Sequence, residues 1–208
     1  MLPADQLRAA VAGLPTVARA GPYSRFVGYQ YLVPVLPGVA PSTGPQPLWG
    51  IGSIRSGGRF TPKGGFETVY LGEDPITALA EVEAVFRAYG GVPFTGRTPP
   101  VVHVAVDAIL LSVLDLTEPL IQATVGTTRQ EVTGEWRATQ AGGVQAPTQI
   151  LGRVCYESGR IDGIRYYSAK NPPDGRCVAV FSDRLADPAY LEVFDPFGNL
   201  AQRLSKRP

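Results

Sequence analysis

The sequence predicts a mixed α+β domain, a sheet core of short strands with peripheral helices. Three observations carry that prediction. The 208 residues suit one domain, and a chain of this length removes about 70% of its unfolded surface from water. From Trp49 onward, β-branched and aromatic runs of strand length alternate with segments of helical period. Gly and Pro make up about a fifth of the chain, which implies many turns yet falls below the roughly 25–30% of low-complexity disorder.

Residues 2–14 carry Leu7, Val11 and Leu14 at helical spacing, with Asp5 as the candidate N-cap. Residues 34–47 hold Pro34, Pro37, Pro41, Pro45 and Pro47, a density that blocks helix and ladder hydrogen bonds and predicts an extended surface loop. Leu48 to Ile54 reads as a strand, followed by a turn at Ser56-Gly57-Gly58 and a β-rich run from Phe66 to Leu71. Asp74-Pro75 is an N-cap with proline at the first helical position. The helix it opens presents Ile76, Leu79, Val82 and Phe86 on one face and ends at Gly90-Gly91. A β-like stretch covers Val101 to Leu116, and helices are expected at 117–125 and 147–157. Ile161 to Tyr167 and Arg176 to Phe181 read as strands. Tyr190–Phe194 and Leu200–Leu204 suggest a closing hairpin around Gly198-Asn199.

Composition excludes several functions. A net charge of +1 with 18% charged residues leaves no broad basic footprint for nucleic acid or an anionic membrane. No apolar run approaches the ~20 residues of a membrane span, and the first residues lack the pattern of a secretory signal. Cys155 and Cys177 sit among apolar residues and read as buried free thiols. The single histidine, His103, rules out a His-rich metal site, and its place in a strand argues against a Ser/His/Asp triad around Ser168. The expected setting is a reducing cytoplasm.

The densest polar constellation is Gly57-Gly-Arg-Phe-Thr-Pro-Lys-Gly-Gly65, followed by Val69-Tyr-Leu71 and the helix that holds Glu81. Glycines permit close backbone approach to a ligand. Arg59 and Lys63 supply positive charge, and a guanidinium suits bidentate phosphate recognition. Tyr70 adds an aromatic face and a hydroxyl. Arg59, Tyr70 and Glu81 are spaced eleven residues apart across turn, strand and helix, so a tight unit could bring them together. Each also has a plainer reading: a solvated loop arginine, a core tyrosine, a solvent-facing helix glutamate. Glu81 stands out because the run Ala78-Leu-Ala-Glu-Val is otherwise fit for burial, and an unpaired buried carboxylate is costly. The glycine run is neither a Walker A loop nor a dinucleotide fingerprint. A second cluster, Asp162 to Asn171, is a strand ending in Ser168.

Together these stretches resemble the RES domain, a family named for its arginine, glutamate and serine. The resemblance rests on Gly57–Phe60, Val69–Leu71, Ala78–Val82, Asp162–Ala169 and Val178–Phe181 in that order, with Tyr23-Ser-Arg-Phe26 similar to the family's opening Tyr-Arg segment. Thr61 stands where the family usually has asparagine. The likeness spans about 23–185, which makes residues 1–22 an extension, expected to be helical, ahead of a single domain at 23–208.

The resemblance implies a fold like that of ADP-ribosyltransferases and cleavage of the nicotinamide–ribose bond of NAD+, by water or phosphate, as a bacterial toxin. It also implies NAD+ as substrate with no cofactor, a partner antitoxin, and a homodimer. The expected site is Arg59 at the pyrophosphate, Tyr70 stacking on nicotinamide, Glu81 at the ribose and its developing charge, and Ser168 as a cleft hydrogen bond. Arg25 and Lys63 are further phosphate candidates. Two other readings keep the fold: an ADP-ribosyltransferase acting on a macromolecule, and a non-catalytic binding module.

Overall fold

The computed structural model describes residues 1–32, 44–90 and 100–206. Its strands are β1 (Val17–Gly28), β2 (Val69–Gly72), β3 (Val101–Asp115), β4 (Gly163–Tyr167), β5 (Arg176–Val180), β6 (Tyr190–Val193) and β7 (Arg203–Ser205). The helices are α1 (Ala4–Gly13), α2 (Tyr29–Leu32), α3 (Ile51–Ser56), α4 (Pro75–Gly90), α5 (Pro119–Thr124), α6 (Arg129–Thr133), α7 (Trp136–Ala141) and α8 (Pro147–Glu157). The sheet order is β1-β2-β5-β4-β3-β6-β7, and β1 also pairs with β3. The first five strands in that order therefore close on themselves, and β6-β7 continues outward from β3. Long β3 makes this possible. Antiparallel β1 takes one edge over Val101–Val113, while β6 and then parallel β4 share the other.

Alternation along the strands sends side chains into two cores. On β5, Val178 and Val180 join Val69, Leu71, Val106 and Leu191 on one face. Cys177 and Ala179 join Ile164, Tyr166, Phe60 and Leu151 on the other, under α1 and α8. Helix α1 is fixed there by Leu7 and Val11 and by Arg160, whose guanidinium donates to the carbonyls of Val11 (2.7 Å), Ala12 (3.0 Å) and Leu14 (3.1 Å). Strand β1 runs unbroken across position 22. Both cysteines are buried and free, and burial pushes both thiols up. His103 is exposed on β3, its Nε2 3.2 Å from Ser24 Oγ.

Several elements depart from expectation. The stretch Leu48–Ile54 is not a strand. Gly50 and Gly52 offer a strand nothing to pack, the Ser53 N–H and hydroxyl both donate to the Gly50 carbonyl (2.9 and 2.7 Å), and the chain turns into α3. Asp5 does not cap α1. Pro3 precedes the helix, and Asp5 pairs with Arg8 at 2.8 Å. Asp74 does receive the Thr77 N–H (2.8 Å) and hydroxyl (2.6 Å), but this turns α4 so that Thr77 and Ala78 are buried while Ile76 is 73% exposed. The expected strand from Phe66 starts only at Val69, and the helix expected at 117–125 spans Pro119–Thr124. Most of the proline-rich stretch 34–47, Gly91 and the side chain of Phe86 lie outside the described residues.

Asp162 opens β4 and is 4% exposed. Its Oδ2 accepts the N–H groups of Leu111 (2.7 Å) and Ser112 (3.0 Å), while Oδ1 is buried without a partner among the described residues. Burial outweighs those bonds and pushes its carboxyl above the usual range. A raised folded-state value means the native protein holds this proton more tightly than the unfolded chain, so its ionisation costs stability as pH rises above about 3.9. Asp162→Asn keeps the acceptor and removes the charge. Denaturant unfolding across pH is expected to show the difference between variant and wild type moving in favour of asparagine as pH rises; a difference independent of pH would contradict this.

Candidate functional site

Arg59 sits at the tip of a turn closed by Gly58 and Thr61, whose backbones bond both ways (2.7 and 3.3 Å). The residue is only 6% exposed. Its Nη1 donates to the carbonyls of Val132 (2.6 Å) and Gly134 (2.9 Å), which fixes the guanidinium plane without neutralising it. Tyr70 lies on β2 beneath the turn, partly exposed, with its hydroxyl accepting the Phe60 N–H at 3.0 Å. A Cβ on Gly58 would stand 2.3 Å from that hydroxyl, so only glycine lets the ring approach. Burial raises the Tyr70 phenol, opposed by its bonds to Thr61 and Phe60 and by the charges of Arg59 and Arg137. Thr61 is fully buried, its hydroxyl paired with Thr68 at 2.6 Å.

Glu81, on α4, accepts a 2.6 Å hydrogen bond from Ser168 Oγ through Oε1. Ser168 in turn accepts the N–H groups of Lys170 and Asn171, both at 3.1 Å. Its proton is committed to the carboxylate and its lone pairs to the backbone, so the hydroxyl orients Glu81. Asn171 Nδ2 donates to Thr77 Oγ1 at 2.8 Å, tying the same loop to the start of α4.

A continuous path joins the two charged groups. It runs from Arg59 to the Gly134 carbonyl, across the neighbouring Glu135 to Lys170 Nζ (3.0 Å), and back through the Lys170 N–H to Ser168 and Glu81. Electrostatics agree. Burial pushes the Tyr166 hydroxyl far up, the charges of Cys177, Glu81 and Tyr70 add to this, and Arg59 opposes it. Cys177, directly opposite Tyr166 across β4 and β5, feels the same two signs. Hydrogen bonds thus link Arg59 to Ser168 and Glu81 on one side, and the turn that carries Arg59 to Tyr70 on the other.

The other two candidates stand differently. Arg25 spends all three guanidinium nitrogens on backbone carbonyls: Nε on Pro47 (3.0 Å), Nη1 on Tyr70 (3.1 Å) and Nη2 on Trp49 (3.1 Å). Burial lowers it to about 10. It braces the β2 backbone beside Tyr70. Lys63 is exposed at the end of the glycine-rich turn. The carbonyls of Val132 and Gly134 and the Glu135–Lys170 pair were not indicated by the sequence, because a backbone acceptor carries no residue-type signal. A cavity of about 190 Å³ is lined by Glu131, Gly134, Glu135, Trp136, Thr139 and Thr148 among others, and by none of the four clustered residues. It falls below the roughly 300–1,000 Å³ of usual ligand pockets.

The sequence matches the RES domain over residues 38–200. The chain belongs to the RES domain family. The overall fold of this RES domain is similar to a chain of the M. tuberculosis MbcT–MbcA toxin–antitoxin complex, with a TM-score of 0.64 at 18% identity, covering 97% of this chain and 93% of that one. No curated protein matches the RES chain by sequence. Among the described residues, no helix is long and apolar enough to cross a membrane, and no group of three or more His, Cys, Asp or Glu residues is placed to hold a metal ion.

Proposed function

We propose that this RES domain breaks the bond between nicotinamide and ribose in NAD+ and acts as the toxin of a toxin–antitoxin pair. The observation that carries the reading is the Ser168–Glu81 pair, tied to Arg59 through Lys170, Glu135 and the Gly134 carbonyl, with Tyr70 bonded to the turn that carries Arg59. As the C–N bond stretches, its electron pair passes to the pyridinium nitrogen, nicotinamide leaves neutral, and positive charge collects on the ribose. The leaving group needs no proton, so a general acid is not required.

Glu81 is the catalytic residue. Held by Ser168 through Oε1, it takes the ribose hydroxyls and stabilises the developing cation. Ser168 is a positioning residue. Arg59 binds the pyrophosphate with the edge of its guanidinium not given to Val132 and Gly134, and Lys63 lies at the rim. Tyr70 offers its ring to nicotinamide while its hydroxyl holds the turn. Water or phosphate then adds at the ribose carbon; water gives up a proton to solvent. The similar structure is that of a toxin–antitoxin complex, which supports an antitoxin protein as the partner that covers this site.

The test is to incubate purified protein with NAD+ and separate the products by chromatography, with and without phosphate. Free nicotinamide together with ADP-ribose or its phosphate ester is expected. Intact NAD+ at the end of the incubation would contradict the reading, as would label from NAD+ appearing on macromolecules of a lysate.

A further inference from the structure

Two glutamines outside the four clustered residues hold the turn that carries Arg59. Gln149, on α8, has no exposed surface. Its Nε2 lies within hydrogen-bonding distance of the Gly58 carbonyl (3.1 Å), the Thr61 carbonyl (3.3 Å) and Gln140 Oε1 (2.8 Å), and its Oε1 accepts the Ala146 N–H at 3.1 Å. Gln140, on α7, donates from Nε2 to the Ser56 carbonyl at 2.9 Å. The carbonyls of Ser56, Gly58 and Thr61 thereby lie within reach of side-chain amide donors from two different helices. Gly152 lies one turn beyond Gln149 on the same face of α8, and the Phe60 carbonyl packs against it so closely that a Cβ there would meet the oxygen at 1.9 Å. Arg59 is therefore fixed at both ends, its backbone by α7 and α8 and its guanidinium by a carbonyl of α6 and the carbonyl of Gly134 just after it.

We propose that Gln149, supported by Gln140, is a positioning residue that sets the reach of Arg59 toward the pyrophosphate; the role assigned to Arg59 rests on the function proposed above. The amide both donates to the turn and accepts from the helix start. An apolar side chain of equal length would strip the Gly58 and Thr61 carbonyls of their amide donor and leave the turn held only by the bonds between its own two backbones. The turn would then shift, and Arg59 with it, while Glu81 and Ser168, anchored on α4 and the loop after β4, would stay.

A double-mutant cycle on the full chain separates this from a merely structural role. Gln149→Met is expected to raise KM for NAD+ about tenfold, equivalent to about 1.4 kcal/mol, with kcat within about twofold. In an Arg59→Ala background the same change should leave KM where Arg59→Ala alone puts it. Equal fold-changes in both backgrounds, or a lowered melting temperature with kinetics unchanged, would overturn the proposal. Gln140→Leu, at a partly exposed position, serves if Gln149→Met does not fold, with the same non-additivity expected at smaller amplitude. Should wild type leave NAD+ intact, the functional reading fails on its own. The positioning claim is then read from the NMR signal of the Arg59 Nε–H, which must move in Gln149→Met while that of Arg160 stays; an unmoved Arg59 signal would overturn it.

Discussion

Glu81→Gln is expected to lower NAD+ turnover roughly 10²–10³-fold with the fold intact. The substitution is chosen because it removes charge and little else. Glutamine keeps an oxygen where Ser168 donates its 2.6 Å hydrogen bond, so the side chain stays in place, while the negative charge that the ribose cation needs is gone. A preorganised electrostatic group of this kind contributes about 3–4 kcal/mol to a barrier, which converts to the stated fold-change. KM should move far less than kcat, because the interaction lost belongs to the transition state. Single-turnover rates measured beside a thermal melt decide the point. Near-normal turnover would remove Glu81 from the mechanism.

Gly152→Ala is expected to destabilise the protein by about 3 kcal/mol, at the upper end of overpacking costs. In an ordinary helix interior the same change would gain about 1 kcal/mol from propensity. Here the new Cβ would stand 1.9 Å from the Phe60 oxygen, 2.6 Å from its carbonyl carbon and 2.8 Å from its Cα, all backbone atoms that no rotamer change can move aside. The turn cannot retreat easily, since the Phe60 ring is fully buried and its N–H is bound to Tyr70. For a chain of this size the melting temperature should fall by about 6–12 °C. An unchanged or raised melting temperature would show that the turn is not clamped against α8.

The parts of the fold legible in the sequence are those where local chemistry and tertiary demand coincide. Asp74-Pro75 starts a helix because cap and ring geometry act within four residues, and the β-branched run in β3 serves both cores at once. Strand β1 was not read as a strand, since Ala18, Ala20, Gly21 and Pro22 break its pattern and its pairing to β3 comes from partners more than seventy residues away. Helix α3 was misread because a short apolar run does not reveal its period, and two glycines settled it.

The site divides in the same way. Arg59, Tyr70, Glu81 and Ser168 were legible as residue types in order. What holds them was not: the Val132 and Gly134 carbonyls, the Glu135–Lys170 pair and the Gln149 amide gain meaning only when α6, α7 and α8 are folded against the turn. Arg25 illustrates the converse. As a cation beside an aromatic it was a fair phosphate candidate, yet three carbonyls claim its donors.

The central claim is that Arg59 and Glu81 grip one molecule of NAD+ from two ends. A crystal structure of Glu81→Gln soaked with NAD+ tests it most directly. The pyrophosphate is expected against Arg59, with the hydroxyls of the nicotinamide ribose within hydrogen-bonding distance of residue 81. A dinucleotide bound away from either residue would contradict it.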